Sequence, residues 1–203
     1  MKKLLISGFE AFGAQAINPT QLVVEAISRN EITVPSQLEL HSLLLPVTFN
    51  DAFKILENEI KSIQPDVIIC LGQAGGRAHI ELERVAINIL DADIPDNKGH
   101  QPRDLKIDED GETAYFSTLP LRHLERALQE ARIPVKISNS AGTYVCNFLF
   151  YRLMKSLIES RIKAGFIHVP YLPEQAPAGV PSMEWETLQR ATKVLIEALA
   201  TEK

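Results

Sequence analysis

Hydrophobic positions along this chain follow two periods in turn, and the switches between them mark out the elements. Short apolar runs rich in aliphatic residues read as strands: Lys3 to Ser7, Gln37 to Val47, Val67 to Leu71, Val135 to Ser138 (short and buried) and Ala164 to Val169. Residues Glu83 to Ile89 alternate, with Val85, Ile87 and Ile89 on one side, and predict one more strand. Elsewhere the apolar residues recur three and four apart, as on one face of a helix. Asn18 followed by Pro19 opens the first helix, a cap residue and then proline at the first helical position, with Leu22, Val23, Ala26 and Ile27 as its apolar face. Thr48 caps the second, faced by Phe49, Phe53, Leu56, Ile60 and Ile63. Leu121 to Ala131 form a third; Phe150, Leu153, Met154, Leu157 and Ile158 line a fourth; Ser182 opens a fifth, with Trp185, Leu188, Thr192, Leu195 and Leu199 on one side.

Strands that alternate with helices predict an α/β fold whose sheet is largely parallel and covered on both faces. The polar, turn-rich stretch 91–118 is a long connection, expected to be functional or partly mobile. No internal repeat, low-complexity tract or linker interrupts the pattern, so residues 1–203 are expected to form one α/β domain. Composition adds little: 45% hydrophobic and 23% charged residues describe an ordinary globular protein. Lys and Arg number 21 against 26 Asp and Glu, a net charge of −5 without a basic cluster, which argues against nucleic acid as a partner. No apolar run approaches the roughly 20 residues that span a bilayer, and Glu10 cuts short the run after Lys2-Lys3, which reads as a first strand rather than a leader. Cys70 and Cys146 make no disulfide framework, and no Cys/His spacing suits a metal. A reduced, cytoplasmic protein is expected.

Candidate chemistry gathers where predicted strands end, since open α/β sheets bind ligands there. Ser138 to Asn147 joins a strand to a helix through a small-residue turn containing Gly142, and Cys146 stands at the helix start. A thiol at that place faces free backbone N–H groups and the positive end of the helix dipole, which favours an anionic sulfur. Cys146 is therefore a candidate nucleophile, with a buried structural cysteine as the alternative. Of five histidines, only His168 is both flanked by apolar strand residues and placed at a predicted strand end, either as a base or as a core histidine. Glu83 belongs either to a solvated face or, carried inward by Val85 to Ile89, beside an imidazole. Cys, His and carboxylate together would follow the logic of thiolate catalysis. The glycine-rich Gly72-Gln73-Ala74-Gly75-Gly76-Arg77 lacks the Gly-Lys-Ser/Thr ending of a phosphate loop.

Six motifs in order resemble the pyrrolidone-carboxylate peptidase (pyroglutamyl peptidase type I) family of cysteine exopeptidases. They are Gly8-Phe9-Glu10-Ala11-Phe12-Gly13 with Asn18-Pro19, Gly72 to Arg77, Glu83-Arg84-Val85-Ala86-Ile87-Asn88, Ile94-Pro95-Asp96-Asn97, Ala141 to Asn147, and Phe166-Ile167-His168-Val169-Pro170-Tyr171-Leu172-Pro173. The resemblance implies a three-layer α/β/α sandwich, usually a homotetramer, with no metal or cofactor, that removes N-terminal pyroglutamate from peptides. It implies Cys146 as nucleophile, His168 as general base and Glu83 as the carboxylate orienting it. It further implies Phe9 and Phe12 as aromatic walls of the pyroglutamate pocket, Gln73 near the lactam, and Tyr144 and Val145 lining the pocket. Glu81 does not align with the catalytic carboxylate and is expected to be a surface charge.

Two positions depart from the family pattern. Asp93 stands where the family usually has an arginine linked to the oxyanion hole, and Ala11 where a proline is usual. An acidic side chain near a developing oxyanion would slow the reaction; a backbone donor at 93 would change little. Two other functions stay open: an inactive homologue that binds pyroglutamyl peptides, and a thiol amidohydrolase acting on another small lactam or amide.

Overall fold

The computed structural model describes residues 1–33 and 35–201. Its elements run β1 (Lys2–Phe9), α1 (Pro19–Ser28), β2 (Leu38–Leu45), α2 (Phe49–Ile63), β3 (Val67–Gln73), β4 (Ile80–Glu83), β5 (Val85–Ile87), β6 (Ala114–Phe116), α3 (Leu121–Glu130), β7 (Val135–Ser138), α4 (Val145–Ser156), β8 (Lys163–Val169) and α5 (Trp185–Thr201). Six strands form the main sheet in the order β2-β1-β3-β8-β4-β7, and β5 pairs with β6 in a separate ribbon. All neighbours in the main sheet are parallel except β4 and β8.

Alternation along the central strands sorts side chains into two cores, which makes the three layers. Leu4, Ile6, Ile69, Leu71, Ile167 and Val169 pack against α1, α3 and α5. Leu5, Ile68, Cys70, Ala164 and Phe166 face α2 and α4. Strands buried on both sides are apolar at most positions, which is why β1, β3 and β8 read as nearly continuous runs. The antiparallel step arises because β4 follows β3 through only six residues, 74–79, and β8 fills the slot between them.

Several details differ from the pattern reading. Glu83 to Ile89 is not one strand: β4 ends at Glu83 in the main sheet and β5 begins at Val85 in the ribbon. Ile80–Glu83 escaped notice because its two glutamates look like a solvated surface, yet all four residues are buried. Glu81 is accordingly not a surface charge. It is 2% exposed, lies within ion-pair contact of Arg77, and has Lys136 Nζ at 2.8 Å and His79 Nε2 at 3.2 Å. β7 is an edge strand with Lys136 exposed rather than a buried one, and Ile158, past the end of α4, is 62% exposed. The 91–118 connection contributes β6 and is tied down by Tyr151 Oη donating to Glu112 O at 2.7 Å and by the Lys155–Asp108 ion pair at 2.5 Å.

Helix α1 starts as its sequence dictates. Asn18 Oδ1 accepts from the Thr20 amide at 3.0 Å, and Asn18 Nδ2 donates to Glu10 O at 2.9 Å, so one buried side chain both caps the helix and holds the loop after β1. Asn18→Ala removes both of these bonds and a third, from Thr20 Oγ1 to Asn18 Oδ1 at 2.9 Å, and leaves Glu10 O without that donor. Thermal or urea unfolding should report a loss of about 1–2 kcal/mol.

Candidate active site

Register lines up the centre of the molecule. Leu45 pairs with Phe9 across β2–β1, and Ser7 pairs with Cys70 across β1–β3, which continues to Phe9 beside Gly72. Gly72 pairs with His168, His168 with Glu81, and Glu81 with Lys136. Paired residues share a face, so one row crosses the sheet under α2 and α4: Leu45, Phe9, Gly72, His168, Glu81, Lys136. The next row on the same face holds Ser7, Cys70, Phe166, Glu83 and Ser138.

Gly72 leaves the gap in this row. A Cβ built there would lie 2.9 Å from Cys146 Sγ and 2.6 Å from the Phe166 ring, so the thiol occupies space that any other residue would fill. Cys146 is the second residue of α4 and is partly exposed. Tyr144 at the N-cap makes no side-chain cap bond, so the first-turn amides stay free beside the sulfur. Asn147, fully buried, fixes the helix end: its Oδ1 accepts from Ile87 N at 3.0 Å, and its Nδ2 donates to Ile87 O at 2.9 Å and Ile89 O at 3.0 Å. A polar residue among Val145, Phe148, Leu149 and Phe150 was the signal for this role.

His168 Nδ1 lies 2.8 Å from Glu83 Oε1, with His168 4% and Glu83 0% exposed. Its ring also makes a tilted contact with Phe166, centroids 4.9 Å apart. Burial alone would lower the imidazole's pKa; the neighbouring Cys146 sulfur, by charge and hydrogen bond, and then Glu83 more than offset that and raise it to about 9. The second thiol is different. Burial pushes Cys70 up to about 12, so it stays neutral beneath the site. Arg77 reaches toward both carboxylates, with Nη1 3.5 Å from Glu83 Oε1 and in contact with Glu81.

The structure thus brings Cys146, His168 and Glu83 together. Phe9, Phe12, Tyr144 and Val145 meet Cys146 around a small, closed-in apolar pocket to which Asn18 and Val47 also contribute. Those last two escaped the sequence reading, Asn18 because it was recognised only as a cap. Phe12 and Tyr144 pack with centroids 6.1 Å apart, and Tyr144 Oη donates to Pro95 O at 3.0 Å. Burial pushes that phenol up to about 12, with Asp96 and Cys146 adding to the shift, so it remains a donor. The Pro95-Asp96-Asn97 turn ties together segments beside the pocket: Asp96 Oδ2 accepts from Phe49 N at 3.2 Å, and Asn97 Nδ2 donates to Ala11 O at 3.1 Å. Gln73 lies elsewhere. With Gly72 turned toward the thiol, its side chain takes the opposite face of β3 and accepts from Gln175 Nε2 at 2.9 Å. Asp93 points into solvent and pairs with Arg103 at 3.2 Å. Among the described residues no group of His, Cys, Asp and Glu is arranged to hold a metal ion, and no helix is long and apolar enough to cross a membrane.

A partly exposed thiol at a helix start, an imidazole beside it and a buried carboxylate behind the imidazole are the parts of a cysteine hydrolase on an α/β/α sheet. The chain's relatives narrow that class. The model of the pyroglutamyl peptidase family matches residues 2–202. A pyrrolidone-carboxylate peptidase of Bacillus cereus is 43% identical over 205 residues, covering 99% of this chain and 94% of the relative. Among solved structures, pyroglutamyl peptidase I of Bacillus amyloliquefaciens superposes with a TM-score of 0.92 at 39% identity, covering 99% of this chain and 96% of that one. The pyrrolidone carboxyl peptidase of Thermococcus litoralis gives 0.91 at 39% identity, covering 98% and 93%. The chain belongs to the pyroglutamyl peptidase family.

Two measurements probe the geometry. Gly72→Ala should displace the sulfur and Phe166 together, leaving the circular dichroism spectrum intact while kcat/KM falls on the order of 100-fold, as a misplacement near 1 Å does. The His168 imidazolium is held up to about pH 9, whereas an unfolded chain releases that proton near 6.5, so its contribution to stability is complete below 6.5 and fades as pH rises through 9. NMR titration should find the ring titrating well above neutrality, and lower once Cys146→Ser removes the sulfur.

Proposed function

We propose that this protein removes N-terminal pyroglutamate from peptides by acyl transfer to Cys146. The sulfur attacks the pyroglutamyl carbonyl, and the free first-turn amides of α4, that of Cys146 among them, hold the oxyanion. His168, held as the imidazolium at neutral pH, gives its proton to the leaving amine, while Glu83 keeps the ring in the orientation and charge state this requires. Water, activated by His168, then hydrolyses the thioester.

The observation that carries the reading is the juxtaposition of a closed apolar pocket with the Cys146–His168–Glu83 arrangement in a chain of this family. Pyroglutamate is a neutral five-membered lactam. Phe9, Phe12 and Tyr144 suit its ring, and the pocket offers no cation or carboxylate that a free α-amine or an acidic side chain would need. An N-terminal proline has the ring without its carbonyl and carries a protonated amine in place of the neutral lactam N–H, so it would bring an uncompensated charge into this apolar pocket and should be rejected strongly. Asp93 adds little, because its carboxylate is solvated and paired with Arg103.

The family's homotetramer is proposed for this chain too. Ile89, Leu105 and Phe116, 40%, 54% and 66% exposed, leave an apolar surface beside the β5–β6 ribbon that self-association would cover. A cytoplasmic location belongs to the same proposal.

The test is release of a fluorophore from a pyroglutamyl amide under reducing conditions. Wild type should turn over, the matching prolyl amide should not, and Cys146→Ser should lose at least about 10³-fold in kcat. Substantial turnover by a Cys146 variant would refute the mechanism. Binding without turnover by wild type would favour the inactive-homologue reading.

A further inference from the structure

On the far side of His168 from the pyroglutamate pocket lies an open cleft of ≈ 680 Å³, over β4 and β7. Arg77, His79, Lys136, Ser138 and Asn139 line it, with Glu81 at its floor. The mechanism above uses none of this space. The row across the sheet gives its place: Phe9 at one end belongs to the pocket, Gly72 and His168 hold the reacting centre, and Glu81 and Lys136 lie beyond.

A substrate whose first ring fills the pocket over β1, and whose first carbonyl sits at Cys146, continues along this row. Its leaving chain passes over His168 toward β4 and β7. Lys136 is two strands from His168, roughly 10 Å at the usual strand spacing, which an extended peptide covers in about three residues. The second and third residues after the pyroglutamate therefore reach the cleft.

Charge is layered there. The carboxylates are deepest, Glu81 with 3% and Glu83 with 0% side-chain exposure, whereas the basic side chains form the wall toward solvent: Lys136 53%, Arg77 33% and His79 30%. Lys136 Nζ spends one of its three donors on Glu81 and keeps others for an incoming acceptor. His79 is held below its ordinary pKa by burial and then by Lys136 and Arg77, so at neutral pH it serves as a neutral hydrogen-bonding group rather than a cation. Ser138 and Asn139 add further polar groups to the wall.

We propose that this cleft is the leaving-side subsite, and that it selects peptides carrying a carboxylate at the second or third residue after pyroglutamate. The inference rests on the function proposed above. Its test uses C-terminally amidated pyroglutamyl peptides that differ only in glutamate or glutamine at those two positions, assayed at low ionic strength. Wild type should show a KM several-fold lower for glutamate at one of them. The preference should shrink in 0.5 M NaCl, vanish in Lys136→Met and reverse in Lys136→Glu. The glutamate-to-glutamine ratio is internal to each enzyme, so any general loss of activity cancels. Equal KM values at both positions, or a preference that survives in both variants, would overturn the proposal. An enzyme that leaves even a small pyroglutamyl amide intact would overturn the underlying reading instead, and the two failures are thus told apart.

Discussion

Burying a carboxylate under the face of a sheet is unfavourable unless it is bonded and charge-balanced, and Glu83 is buried completely. Its partners are His168 at 2.8 Å and Arg77 at 3.5 Å. That requirement propagates outward. His168 has to stand at the end of β8 on the same face, the loop after β3 has to return Arg77 over β4, and β4 has to take the register that puts Glu81 and Glu83 on the face toward α4. The same pairings hold the imidazole at a pKa of about 9, with the sulfur next to it as the largest favourable influence. Removing one partner would leave the buried Glu83 carboxylate short of a hydrogen bond or a balancing charge.

The second constraint is space. A sulfur can sit at the sheet surface only where the strand beneath has no side chain, and Gly72 supplies that vacancy between Phe9 and His168. Helix α4 is then held in register by Asn147 clasping the backbone of Ile87 and Ile89, so that its first turn, rather than its middle, meets the strand ends. The two cysteines illustrate the consequence. Cys70, one row deeper, is shut away and stays protonated, whereas Cys146 is reachable.

The row also divides the surface into two unlike halves. Toward β2 Phe9, Phe12 and Tyr144 line a small apolar pocket; toward β7 the sheet edge is uncovered and carries Arg77 and Lys136. A small, uncharged first residue and an open-ended remainder fit these halves without either having to move.

Much of this was legible in the chain. The β1, β3 and β8 runs, the Asn18-Pro19 helix start and the faces of α1 and α2 follow from local patterning, because a strand buried on both sides or a helix packed on one has no other way to be soluble. The motifs around Cys146, His168 and Glu83 carried the family resemblance, and the fold it implies is the one observed. Tertiary structure decided the rest. No local rule says that two glutamates in Ile80–Glu83 go inward, since their cations come from Arg77 and Lys136 on other segments. The break at Arg84, the antiparallel strand and the side of β3 to which Gln73 turns depend on β8 arriving from more than 80 residues away in sequence. Local patterning was enough to mark the five helices and the strands β1, β2, β3, β7 and β8, because it depends on neighbours two to four residues distant. Only the assembled sheet decided which side chains share a row, because register is set by pairing between strands that are remote along the chain.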